Sequence, residues 1–105
     1  MSNAYKFRQY VMRVEMVEKM ERYASEGAPL GDFLRSVIEN NLKEAFGRAD
    51  QDNQDNLAAI VSYVVNEMPT PAQGSPAAYV AWLKKHTLKK HAERRRKRDE
   101  AGSAS

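Results

Sequence analysis

The sequence predicts an all-α protein, a compact bundle of about four helices followed by a basic helical extension. Apolar residues recur at three- and four-residue spacing in four segments, which is typical of helices with one buried face. Clusters of glycine, proline and polar residues separate these segments. Charge is uneven, with 8 basic and 11 acidic residues in 1–83 but 9 basic and 3 acidic residues in 84–105. A chain of 105 residues fits one domain.

The first residues are expected to contribute little helix. Residues 1–4 contain Ser-Asn-Ala, which resembles the scar of a cleaved expression tag, and we expect them to be disordered. Residues 5–12 alternate in polarity, so they are either a short strand or the ragged start of the first helix. One side of that strand would carry Tyr5, Phe7 and Val11, and the other would carry Lys6, Arg8 and Tyr10.

Two helices are predicted next, over residues 13–25 and 32–46. The first would bury Met16, Val17, Met20, Tyr23 and Ala24. Gly27 should end it, and Pro29 should prevent its continuation. The second begins at Asp32, ends near Gly47 and carries one apolar stripe formed by Phe33, Leu34, Val37, Ile38, Leu42, Ala45 and Phe46.

The last two helices follow a polar connection over residues 48–56, which contains several residues able to cap a helix. A helix over 53–68 would place Leu57, Ile60, Val61, Val64, Val65 and Met68 on one face. Ser75 and Pro76 are typical of a helix start, and the helix that follows carries the apolar residues Tyr79, Val80, Trp82 and Leu83. This completes a helical domain over 5–83, followed by a basic helical extension over 84–98 and a disordered tail over 99–105.

The sequence contains no pattern typical of an active site, so we expect no enzyme activity, no catalytic residue and no cofactor. Ser36, Ser62 and Ser75 lack a nucleophile motif. Residues 27–31 lack the Gly-Lys-Ser/Thr ending of a phosphate-binding loop.

No metal site is expected either. The run Asp50, Asp52 and Asp55 lacks the turn glycine and the final carboxylate of a calcium loop, so these residues are interpreted as helix caps. His86 and His91 are five residues apart, which does not stack them on one helical face.

The composition favours an intracellular, cytoplasmic protein that does not enter a membrane. There is no cysteine, which suits a reducing compartment. No apolar run reaches the ~20 residues that a membrane helix requires, and Met1 to Tyr10 contains no apolar signal-peptide core.

The basic extension is the most informative functional feature. Cations that neutralise phosphates release counterions, which produces salt-sensitive and largely sequence-independent affinity for nucleic acid. A solubilising tail, or a contact with an acidic protein or membrane surface, would explain the same charge. The expected nucleic-acid-binding residues are Lys84, Lys85, Lys89, Lys90, Arg94, Arg95, Arg96, Lys97 and Arg98. Tyr79 and Trp82 could stack on bases, but the spacing favours core packing for Trp82 and Leu83, and Tyr79 can present its hydroxyl at the rim in either case.

Two stretches carry a resemblance to a known group of proteins. The stretch Gly31 to Asp50, which ends in Gly-Arg-Ala-Asp, and the stretch Gly74-Ser-Pro76 leading to Trp82-Leu83 are the most specific parts. Together with Asn66-Glu-Met-Pro69, residues 10–83 resemble small helical proteins of tailed bacteriophages and prophages. The resemblance implies an accessory role in a phage, and it implies no particular chemistry.

Residues 5–46 also resemble ribbon-helix-helix DNA-binding proteins, with a strand, a helix, the Gly27 loop and a second helix. That resemblance implies a homodimer whose strand enters the major groove, with Lys6, Arg8 and Tyr10 as the outward side chains. The chain departs from the pattern in two places. No proline or hydroxyl residue caps the first helix near Arg13, and Pro29-Leu30-Gly31 lengthens the loop.

Three functional hypotheses follow. In the first, a phage-type accessory protein, with a regulatory role, binds DNA or RNA through the basic extension. In the second, a phage effector binds a host protein through its helical body and inhibits or redirects it. In the third, the chain is a structural component of the virion, which ranks last because no assembly motif is present. Either of the first two functions would be exercised in the host bacterial cytoplasm.

Overall fold

The computed structural model describes the backbone of residues 2–103 and the side chains of residues 2–98. In chain order, the two strands are β1 (Tyr5–Phe7) and β2 (Tyr10–Met12). The helices within the described range are α1 (Val14–Glu26), α2 (Asp32–Ile38), α3 (Leu42–Arg48), α4 (Gln51–Asp55), α5 (Leu57–Glu67) and α6 (Pro76–Ser103), with a short 3₁₀ turn at Thr70–Ala72 before α6. The mostly helical fold is confirmed, and the short N-terminal strand that the sequence allowed is a two-stranded antiparallel sheet.

The predicted single strand over residues 5–12 is instead a hairpin. The chain reverses at Arg8 and Gln9, where Arg8 has a φ of 57°, and Phe7 pairs with Tyr10 while Lys6 pairs with Val11. Directly paired residues share one face of a sheet. Tyr10 therefore lies with Phe7 against the core and Val11 is exposed, which is the reverse of the predicted sides.

The hairpin packs against α5. The Tyr5 hydroxyl shares a hydrogen bond of 2.9 Å with Ser62 Oγ. The Tyr5 ring meets the Tyr63 ring edge-on, with the ring centroids 5.3 Å apart. Met12 is fully buried at the end of β2. The alternation of apolar and polar residues thus correctly indicates β-structure, but residues 5–12 form two short strands rather than one.

Helix α1 forms over the predicted residues. Met16, Val17, Met20 and Tyr23 are buried along one side of it. Gly27 ends the helix in the left-handed conformation, with φ of 69°. The Gly27 N–H donates to the Tyr23 carbonyl and the Ala28 N–H donates to the Arg22 carbonyl, which satisfies the last carbonyl groups of the helix.

The predicted helix over 32–46 is two helices, because Glu39, Asn40 and Asn41 interrupt it. Asn40 adopts a φ of 60°, a conformation that asparagine tolerates better than most residues. The Asn41 side chain then accepts a hydrogen bond of 3.2 Å from the Glu44 N–H and caps α3. The break turns α3 away from the core, so Leu42 and Phe46 are 68% and 54% exposed.

The predicted helix over 53–68 is also divided. Asp50 accepts a hydrogen bond of 2.8 Å from the Asn53 N–H and caps the short α4, which confirms a capping role for this aspartate. After Asn56, α5 buries Ala59, Ile60, Tyr63 and Val64. The predicted face is wrong at two positions, because Val61 and Val65 lie on the opposite edge and are 40% and 66% exposed.

Helix α6 begins as predicted, with the Ser75 hydroxyl accepting a hydrogen bond of 3.0 Å from the Ala78 N–H. Trp82 is only 8% exposed, which confirms that it packs in the core. The helix continues to Ser103, through most of the segment for which disorder was predicted. Residues 104 and 105 of that segment lie outside the described residues.

Three buried hydrogen bonds join α6 and the 3₁₀ turn to the first third of the chain. The Tyr23 hydroxyl donates to the Ala72 carbonyl at 2.7 Å, and Trp82 Nε1 donates to the Tyr23 carbonyl at 2.9 Å. The Leu30 N–H donates to the Tyr79 hydroxyl at 3.1 Å. The Tyr23 and Tyr79 rings stack with centroids 5.5 Å apart. Each polar atom of these aromatic side chains has a hydrogen-bond partner. Their burial therefore does not incur the free-energy cost of an unpaired polar group.

We expect the free energy of unfolding to fall above about pH 10. Burial, with the nearby Tyr79 and Glu39, raises the pKa of the Tyr23 hydroxyl, and burial also raises the pKa of Tyr63. Unfolded phenols ionise near pH 10, at about their ordinary pKa. Above that pH the unfolded chain releases protons that the folded chain retains. For each tyrosine the stability should therefore fall by up to about 1.4 kcal/mol per pH unit, while the pH lies between its unfolded and its folded pKa.

Urea unfolding between pH 8 and 11 would measure this loss. The Tyr63→Phe variant is the control, and its stability should fall less steeply because one of the two phenols is absent. Equal pH dependence in the variant and the parent protein would show that Tyr63 ionises alike in both states.

Candidate nucleic-acid interface

The first two turns of α6, which precede the basic segment, pack in the core and fix the start of that segment. Tyr79 and Trp82 are buried one turn apart on this helix. One further turn along, His86 packs against the Gly27 turn and meets the Trp82 ring edge-on, with centroids 5.1 Å apart. The direction in which the helix leaves the body is therefore set by Trp82 and His86.

Beyond His86 the helix leaves the core. Every residue from Thr87 to Arg98 is exposed, and the protein extends 60 Å along its longest axis but only 30 and 21 Å along the others. We call residues 84–98 the basic arm. At 1.5 Å per residue it is about 21 Å long. The structure places all nine predicted cations on this single helix: Lys84, Lys85, Lys89, Lys90, Arg94, Arg95, Arg96, Lys97 and Arg98.

The cations surround the arm rather than forming one stripe. Each residue of an α-helix is rotated by about 100° from the one before it. Lys85 and Arg94 therefore lie about 180° apart around the axis, and Arg95 and Lys97 about 160° apart. No side of the arm is without a positive charge, so it can meet negative charges on several sides at once.

The charge of the arm is largely uncompensated. Within residues 2–98, no carboxylate forms an ion pair with any of its nine cations. Glu93 is the one acidic residue between Lys84 and Arg98. Lys85 Nζ lies 4.8 Å from the centre of the Trp82 ring, a cation–π contact at the base of the arm. Nine cations along about 21 Å approach the density of duplex DNA, which carries one negative charge per ~1.7 Å.

The hairpin does not present Lys6, Arg8 and Tyr10 as one outward row. Lys6 is exposed on the strand, but Arg8 is in the turn with its guanidinium 5.1 Å from the centre of the Phe7 ring. Tyr10 is half-buried against the core. The row expected for insertion into a major groove is therefore wrong in its geometry, because the hairpin reverses the chain between Arg8 and Tyr10.

Sequence patterns do not indicate the role of His86. Its neighbours suggest only one more polar group of the basic segment, yet its Nε2 is buried and finds no hydrogen-bond partner within the described part of the chain. Among the described residues, no group of three or more histidine, aspartate or glutamate side chains is placed to hold a metal ion. The contact of His86 is with Gly27, 59 positions earlier, and no local pattern could have revealed it.

A second surface is also absent from the sequence-based expectations. An apolar groove of about 430 Å³ lies between the α2–α3 junction and α5, lined in part by Val37, Leu42, Leu57, Val61 and Val65. Phe46 is one turn from Leu42 on α3 and is also exposed. We call Leu42, Phe46, Val61 and Val65 the apolar face. A contiguous exposed apolar patch is a common mark of a protein contact. The Asn40-Asn41 pair is the one sequence feature that could have indicated it.

Two results bear on the class of protein. None of the described helices is both long enough and apolar enough to cross a membrane. Comparison with protein families, with curated proteins and with solved structures finds no match to this chain.

Proposed function

We propose that the protein binds nucleic acid through its basic arm, as an accessory protein of a phage or prophage with a regulatory role. The observation that supports this function best is the nine-cation helix, which leaves the core and carries positive charge on all sides. Such a helix would displace counterions from a phosphate backbone and bind with little regard to sequence. The helical body would hold the arm in a fixed direction through Trp82 and His86.

Fluorescence anisotropy of the full chain with labelled random duplex DNA and with labelled single-stranded RNA, across a salt series, tests this function. We expect tight binding at low salt that weakens steeply as salt rises. If all nine cations contact phosphates, the logarithm of the association constant should fall with the logarithm of salt concentration with a slope of about −8. No binding to DNA or RNA at low salt would reduce the arm to a solvated appendage.

The resemblance of residues 10–83 to phage proteins supports an accessory role, which would be exercised in the host bacterial cytoplasm. The lack of cysteine is consistent with that compartment. A purely solubilising tail would also be rich in lysine and arginine. It would not require the core anchorage that Trp82 and His86 give to the start of the arm.

The apolar face favours a second function, in which the body binds a host protein and inhibits or redirects it. Four large apolar side chains on α3 and α5 remain 40–68% exposed, beside a groove that a protruding side chain could fill. Burial of an exposed leucine or phenylalanine contributes roughly 1.5–3 kcal/mol when it is complete. The same surface would also serve a homodimer.

Replacement of Leu42, Phe46, Val61 and Val65 by serine should abolish such a contact while leaving the buried core intact. Pull-down from host lysate, at high salt and after nuclease treatment, should recover a partner with the parent protein and not with this variant. Analytical ultracentrifugation of both proteins would detect a homodimer through the same face. Equal recovery by the two proteins would show that the apolar face is not the contact.

A further inference from the structure

We infer that the basic arm binds B-form duplex DNA by lying in the major groove, in preference to single strands and duplex RNA. The inference rests on the proposed function and names its substrate class. It follows from three features of the arm: its width and exposure, the distribution of its cations, and the aromatic side chains that it lacks.

The arm has the dimensions of the groove. An α-helix with its side chains is about 10–12 Å in diameter, and the major groove of B-form DNA is about 12 Å wide. Residues 87–98 are all exposed, so about 18 Å of helix can enter the groove without a collision with the body. A helix packed along the surface of the body would present only one side to DNA.

The distribution of cations suits a groove with phosphates on both walls. A basic helix that lay across a single strand would need cations on one side only. Within the part of the arm that enters the groove, Arg95 and Lys97 lie about 160° apart around the axis, so positive charge faces both walls at once. Charge on opposite sides of the helix therefore suits an anion that lies on both sides of it.

Single strands are bound differently. Proteins that bind single-stranded nucleic acid commonly combine positive charge with aromatic side chains on which the bases stack. The arm contains no phenylalanine, tyrosine or tryptophan. At its base, Tyr79 and Trp82 are 3% and 8% exposed and are occupied by core contacts with Tyr23. The described part of α6 therefore offers no exposed phenylalanine, tyrosine or tryptophan on which a base could stack.

Duplex RNA has a density of phosphates comparable to that of duplex DNA, but its grooves have a different shape. A comparison of the two duplexes therefore distinguishes recognition of charge from recognition of groove shape. Its major groove is deep and narrow, and side chains enter it poorly. An arm that recognised charge alone would bind both duplexes alike. An arm that requires a wide major groove should prefer the DNA duplex.

Competition anisotropy with the full chain tests this preference. A labelled DNA duplex of about two helical turns would be displaced by unlabelled duplex DNA, single-stranded DNA or duplex RNA of the same length at one salt concentration. We expect duplex DNA to compete at least about tenfold better than either alternative. Equal competition by single strands or duplex RNA would overturn the inference and leave the proposed function standing, whereas no binding to any of them would overturn both.

Methylation by dimethyl sulfate locates the arm on the duplex. Guanine N7 lies in the major groove and adenine N3 in the minor groove. Saturating protein should reduce methylation at N7 and leave N3 unchanged, and protection of N3 instead would place the arm in the minor groove and contradict the inference.

As a matched pair, Arg95→Gln and Lys97→Gln should each reduce the salt slope by about 0.9, because they face opposite walls. Loss in only one of them would indicate contact with a single strand of phosphates.

Discussion

Replacement of Arg94, Arg95, Arg96, Lys97 and Arg98 by glutamine is expected to lower the affinity for duplex DNA by about a thousandfold near physiological salt. Each lost phosphate contact removes about 0.9 from the slope of log affinity against log salt, so the slope should change from about −8 to about −4. The fold should persist, because all five side chains are exposed and lie beyond the last core contact of α6 at His86.

The matched control replaces five cations elsewhere: Lys6, Arg8, Lys19, Arg22 and Lys43. Both variants have the same net charge, so a difference between them reports where the charge lies and not how much remains. The control should retain most of the affinity. Loss of affinity in the control but not in the arm variant would contradict the proposed role of the arm.

Replacement of Gly27 by alanine should destabilise the protein by about 3 kcal/mol or more. The left-handed conformation of Gly27 costs any residue with a Cβ roughly 1–2 kcal/mol. In addition, a Cβ at this position would lie 2.4 Å from the Cβ of His86, far inside van der Waals contact. The His86 Cβ cannot rotate away, so relief requires the end of α1 to separate from α6 and strains the hydrogen bond between Trp82 and the Tyr23 carbonyl.

Chemical denaturation of Gly27→Ala beside Gly47→Ala would measure this effect. Gly47 lies in α3, and a methyl group added there would have no described neighbour within 4 Å, so alanine should be neutral or stabilising by up to about 1 kcal/mol. In a His86→Gly background the clash is absent, and the cost of Gly27→Ala should fall to that of the backbone conformation alone. An unchanged cost in that background would show that His86 is not the obstacle.

Much of the fold follows from local sequence. The end of α1 at Gly27 and the start of α6 at Ser75-Pro76 were predictable, because each depends on one residue type whose backbone preference dominates its neighbours. The apolar spacing of Met16, Met20 and Tyr23 likewise identified a buried helix face.

The errors arose where a polar residue competed with an uninterrupted apolar stripe. Spacing alone joined residues 32–46 into one helix, but Asn40 and Asn41 end it by a left-handed turn and a side-chain cap. The hairpin was missed because Arg8 carries no turn preference of its own, and its positive φ is imposed by the pairing of the flanking strands. Helix α5 contains more apolar residues than one buried face can hold. Spacing alone therefore could not distinguish the buried Val64 from the exposed Val65.

The sequence predicted the positive charge of the basic arm, but not the contacts that join the arm to the body. Nine cations in a short segment are visible in the sequence, and the structure places all of them on one helix. The anchorage of that helix depends on Gly27, Trp82 and His86, which are distant in sequence. The apolar face depends in the same way on how α3 turns after Asn40, so neither surface could be derived before the fold was known.

The three buried hydrogen bonds of Tyr23, Tyr79 and Trp82 have a consequence for the order of folding. They join residues that are 49, 49 and 59 positions apart, so they form only after long loops have closed. During synthesis, α1 emerges before the 3₁₀ turn and α6, so Tyr23 at first lacks all of these partners. The core is complete only when Trp82 has been added, and the arm follows immediately behind it. The positive charge of the arm thus reaches solution only after the residues of the body that hold it have been synthesised.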